Sequence, residues 1–83
     1  MDKANFTNAV LQFLRRNNPE KPFDSIPTDE NLFNIGMLES FSIPSLAMYL
    51  EKISQKKLPM ENITIEAFYS IDSMFELLQV SYN

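Results

Sequence analysis

The sequence predicts a small all-α protein: a four-helix bundle with a long ordered loop between its first and second helices. Three observations carry this. Apolar residues recur at helical spacing in two separate segments, alternation of the strand kind is confined to the short run "NITIEAF", and a proline-rich stretch with scattered large apolar residues separates the two segments. At 83 residues the chain is read as one domain, 1–83.

The first helix is expected over Lys3 to Arg16. Phe6, Ala9, Val10, Phe13 and Leu14 form one apolar stripe, and Arg15 and Arg16 complement the negative end of the helix dipole. "NNPEKP" then stops it, because prolines lack the N–H and clash with the preceding turn. Residues 17 to 39 form a connection too long for idle filler. Phe23, Ile26, Leu32, Phe33, Ile35, Met37 and Leu38 require parts of it to fold onto the core, with a short helical turn around Asp29 to Phe33. Gly36, the one glycine, is expected to hold a backbone angle that a side chain would forbid.

A second helix is expected from about Phe41 to Gln55, burying Ile43, Leu46, Ala47, Leu50 and Ile53. Pro44 is tolerated only in a first turn, so regular hydrogen bonding must begin between Ser40 and Ser42. "KKLPMEN" ends this helix at Pro59. A short third helix is expected over Ile65 to Tyr69 with Thr64 as N-cap. A fourth follows from Ile71 to Val80, capped by Ser70, with Met74, Leu77 and Leu78 facing inward.

Composition removes whole classes of chemistry. The chain has no cysteine and no histidine, so disulfides, thiolate metal sites and a Ser-His nucleophile pair are excluded, and no metal centre is expected. Its net charge of −4 is a poor match for nucleic acid. Between Lys21 and Lys52 there is no basic residue, while Asp24, Asp29, Glu30, Glu39 and Glu51 are present; a negative middle suited to basic partners is expected. No apolar run approaches the roughly 18 residues of a membrane span, and "MDKANFTNAV" lacks a signal peptide's pattern. A cytoplasmic monomer without membrane contact is the expectation.

Ser40 stands at the junction of loop and second helix, where a serine ordinarily serves as N-cap. Its surroundings point further. "GMLESF" at 36–41 resembles the phosphopantetheine attachment motif of acyl and peptidyl carrier proteins, which reads Gly, one or two apolar residues, Asp, Ser, then Leu or Phe. The motif lies after a first helix and a long loop, as in that family, and "ITIEAFYSIDSMFELL" resembles the family's third and fourth helices. The resemblance spans nearly the whole chain.

What it implies is a stand-alone carrier rather than an enzyme, with no catalytic residues of its own. A phosphopantetheinyl transferase would attach 4′-phosphopantetheine from coenzyme A to Ser40, with Gly36, Leu38, Glu39 and Phe41 forming the motif around it. The arm's thiol would carry an acyl or aminoacyl thioester, so the reactive sulfur would arrive with the cofactor. Implied partners are an adenylating enzyme or acyltransferase that loads the arm, and condensing or tailoring enzymes that use it. The partner face would comprise Met37, Phe41, Pro44, Ser45, Met48, Glu51 and Lys52.

The chain departs from the family at Glu39, where Asp is usual, and at Pro44. Fatty-acid carriers often have acids where this chain has Ser45 and Lys52, which points to a specialised polyketide or nonribosomal-peptide-like pathway, or one related to fatty acids. The alternative is a helical interaction module of the same fold that is never phosphopantetheinylated.

Overall fold

The computed structural model describes residues 1–80. Three α-helices form in chain order: α1 (Lys3–Asn17), α2 (Ile43–Ser54) and α3 (Ile71–Gln79). Three 3-10 turns accompany them, Ser40–Ser42, Met60–Asn62 and Ile65–Phe68, and no strand occurs among the described residues. The all-α class is therefore as expected, but the expected third helix is a 3-10 turn. Five residues between Thr64 and the Ser70 cap are too few to propagate an α-helix past its costly nucleus.

α1 starts where the Asp2 carboxylate accepts the Asn5 N–H at 2.8 Å. It buries Phe6, Val10, Leu11, Phe13 and Leu14; the expected stripe holds, except that Leu11 is buried and Ala9 only partly so. α3 opens on a capping box in which the Ser70 hydroxyl accepts the Ser73 N–H at 3.0 Å and the Ser73 hydroxyl accepts the Ser70 N–H at 3.1 Å. Thr64, expected to cap the preceding turn, makes no such bond.

The helices meet through aromatic pairs. Phe6 packs on Phe75 with ring centroids 5.4 Å apart, joining α1 to α3. Phe13 and Tyr49 lie at the same 5.4 Å, and the Tyr49 hydroxyl donates to the Ala9 carbonyl at 3.1 Å, joining α1 to α2. Leu46, Leu50, Ile71 and Met74 complete a core with no accessible surface. Among the described residues no helix is long and apolar enough to cross a membrane.

Residues 18–39 contain no helix, only turns and extended pieces, yet they are tied down at many points. Ile26, Leu32 and Leu38 are buried, and Phe33 packs edge-on to Tyr69 at 5.5 Å. The short helical turn expected around Asp29 to Phe33 lies slightly later: the Ile35 N–H donates to the Asn31 carbonyl at 3.3 Å, and the Asn31 carboxamide accepts the N–H groups of Phe33 and Asn34, at 2.9 and 3.0 Å. The N–H of Leu32 donates to the Tyr69 carbonyl at 2.7 Å and that of Asp72 to Thr28 at 2.9 Å, so the loop is hydrogen-bonded to the C-terminal segment.

Candidate functional site

Gly36 has φ +76°, the left-handed region a side chain disfavours, as the sequence requires. That conformation lets the chain double back, so the N–H groups of Met37 and Leu38 both reach the Leu32 carbonyl, at 2.9 and 3.2 Å. Leu38 is buried, which leaves the next residues, Glu39, Ser40 and Phe41, exposed on the rim. Anchoring from the α1 side comes through Asn18. Its carboxamide N–H donates to Leu14 at 2.9 Å and to the Met37 carbonyl at 3.0 Å. The Lys21 ammonium donates to the Gly36 carbonyl at 3.2 Å.

Ser40 opens the 3-10 turn Ser40–Ser42, and α2 begins only at Ile43. The expected start at Phe41 is thus three-residue 3-10 first and α second. Pro44, at the second position of α2, has no N–H to give and tightens what precedes it. Neither Glu39 nor Ser42 makes a side-chain cap bond, and the Ser40 carbonyl accepts the Ile43 N–H. Ser40 is therefore not the α2 N-cap that its place in the sequence first indicates.

Two large apolar side chains lie bare on this side: Phe41, 78% exposed, and Met48, 69% exposed. Pro44, Ser45 and Lys52 are exposed as well, and Met37 is half-buried. Glu51 is half-buried, and its carboxylate accepts the Leu58 N–H at 2.7 Å, fixing the chain after α2. The sequence carries no signal for that bond, because donor and acceptor are seven residues apart around a break.

Two basic residues reach the acidic middle, at backbone carbonyls and a ring and not at its carboxylates. The Arg15 guanidinium sits 4.7 Å from the Phe23 ring centroid and donates to the Asp24 carbonyl at 3.3 Å, and Lys21 reaches Gly36. Asn18 and Lys21 were the residues sequence reasoning passed over here, being read only as part of the helix stop "NNPEKP".

A depression of about 260 Å³ runs between the end of α1 and the Ser40 turn. Asn17, Lys21, Gly36, Met37, Phe41 and Ser42 are among the residues that line it. Among the described residues no cluster of three or more acids could hold a metal ion. No protein-family model, curated protein or solved structure matches this chain.

Proposed function

We infer that this chain is a carrier of the acyl or peptidyl carrier type, with 4′-phosphopantetheine joined to Ser40. The observation that carries the reading is the setting of Ser40: an exposed hydroxyl-bearing residue on a one-turn 3-10 segment, between a loop pinned to the core and the start of α2. It lies within "GMLESF", in a chain without cysteine or histidine.

The residues present fit the group. Ser40 is exposed, its backbone carbonyl is already satisfied by Ile43, and open space adjoins it at Glu39, Phe41 and Ser42. Attachment forms a bond from Ser40 Oγ to the pantetheine-bearing phosphorus of coenzyme A. The bond from that phosphorus to 3′,5′-ADP breaks, and the hydroxyl proton passes to a base of the transferase. The group's thiol supplies the thioester linkage for an acyl or aminoacyl cargo.

The chain's own residues do the presenting. Leu38 anchors the loop in the core, Gly36 turns it, and the helix start beyond Ser40 offers positive potential to a phosphate. Phe41, Met48, Pro44, Ser45 and Lys52 offer a mixed apolar and polar surface beside the serine, suited to a transferase, a loading enzyme (adenylating enzyme or acyltransferase) and the condensing or tailoring enzymes that follow. Ser45 and Lys52 favour a specialised polyketide, nonribosomal-peptide-like or fatty-acid-related pathway.

Intact-mass measurement after incubation with coenzyme A and a broad-specificity transferase tests this. A gain of one phosphopantetheine on the wild type and none on Ser40→Ala is expected. No gain, or an equal gain on Ser40→Ala, overturns it.

The bare pair Phe41 and Met48 supports a second reading, an interaction module that is never modified. In that case Ser40→Ala keeps full biological activity while Met48→Asp abolishes it.

A further inference from the structure

The depression beside the Ser40 turn does not end at Gly36. A second one, of about 220 Å³, shares Asn18, Pro19 and Lys21 with it and continues to Arg15, Pro22 and Phe23. Lys21 lines both, so the pair offers a track past its ammonium. The first depression presents Met37, Phe41 and the carboxamides of Asn17 and Asn18; the second presents Arg15, Pro22 and Phe23.

Resting on the carrier reading, we propose that this track is the resting berth of the Ser40-linked arm, with the Lys21 ammonium paired to its phosphodiester. Lys21 spends one N–H on the Gly36 carbonyl and keeps the rest for an anion. Beyond the phosphodiester, pantetheine is uncharged: a branched dimethyl carbon, then two amides, then a thiol. The branched carbon suits Met37 and Phe41, and the amides suit the carboxamide of Asn17 and the unused oxygen of Asn18, whose nitrogen is engaged with Leu14 and Met37. Glu20 and Glu39 also border the first depression; both are exposed, so solvent and salt screen their repulsion of the phosphodiester, and the amide portion carries no charge for them to oppose. The berth lies on the α1 side of Ser40, apart from the partner residue Met48, which lines neither depression.

The test uses the full chain, isotope-labelled and loaded by the transferase with unlabelled phosphopantetheine. Isotope-filtered nuclear Overhauser spectra are expected to connect the arm's geminal methyls to the Met37 methyl and the Phe41 ring. In Lys21→Gln, loaded to the same mass, those contacts should weaken or vanish, and Lys21→Arg should restore them. The Leu32 and Leu38 amide shifts, whose hydrogen bonds do not involve Lys21, report that the loop still folds. A loaded protein with no contacts to the track, or with contacts to Met48 instead, overturns the berth and leaves the carrier reading standing. Absence of any mass gain overturns both.

Discussion

One side-chain nitrogen, Nδ2 of Asn18, donates both to the Leu14 carbonyl at 2.9 Å and to the Met37 carbonyl at 3.0 Å. The first bond closes the end of α1, and the second holds the residue that follows Gly36. A single amide thereby couples the end of one helix to the loop that carries Ser40. Asn18→Ala removes both donations and leaves two carbonyls without them, so a loss of about 1–2 kcal/mol is expected in urea unfolding. Amide exchange at Gly36 and Met37 should accelerate more than exchange in α3.

Gly36→Ala tests the left-handed turn. An added Cβ would lie 3.2 Å from the Lys21 ammonium, whose flexible stem can move aside, so the cost comes from the backbone at φ +76°. About 1–2 kcal/mol is expected. Gly36→Asn should cost less, since Asn tolerates this region. Equal losses for the two would point to crowding instead.

Glu51 and Met48 share a helix but should behave oppositely. Glu51→Ala deletes the acceptor of the Leu58 N–H and should lower stability by about 1–2 kcal/mol. Met48→Ala, on an exposed side chain, should stay within about 0.5 kcal/mol by the same measurement.

In the core, Leu46 has no accessible surface, and Leu46→Ala should cost about 2–5 kcal/mol. That is a large share of the stability of a domain this size. A cost below about 1 kcal/mol would contradict the packing of α2.

Asp72 predicts an acid limb. Its Oδ1 is shielded from water and meets the Lys3 ammonium at 2.6 Å, as an ion pair rather than a well-aligned hydrogen bond. The Lys3 contact, then Thr28, hold the carboxyl below its ordinary value against a smaller opposing effect of desolvation. A carboxyl depressed in the folded state stabilises fully above its unfolded value, and that contribution is lost as pH falls through the folded one. Stability should therefore decline in the acid range below the ordinary carboxylate value, and Asp72→Asn should flatten that decline in pH-dependent thermal unfolding. An unchanged profile would remove Asp72 from the account.

What the sequence made legible was local. The stripe of α1, the Leu46, Ala47 and Leu50 centre of the α2 stripe (its expected ends Ile43 and Ile53 are only half-buried), the Ser70 cap and the special angle at Gly36 each follow from residues within a turn or two of one another. Pro44 likewise located the start of α2 to within a residue, because its missing N–H acts on its own turn. One departure is local too: the segment at Ile65–Phe68 has apolar residues enough for a helix but is bounded too closely by its neighbours. At the candidate site, Gly36, Leu38, Glu39, Ser40 and Phe41 were readable as a motif. The roles of Asn18, Lys21 and Glu51 were not, since each depends on a backbone group that only the folded chain brings near.

The bonds from Leu32 to Tyr69 and from Asp72 to Thr28 tie the loop to the last stretch of the described chain. Such pairings between distant residues close only after the intervening segment has been made and arranged. During synthesis, then, α1, the loop and α2 all emerge before the loop can acquire two of its backbone anchors. The Thr28 and Leu32 ends of the loop thus gain these two anchors last, whereas the Gly36–Leu38 end can be held from Asn18, Lys21 and Leu32 before Tyr69 is made.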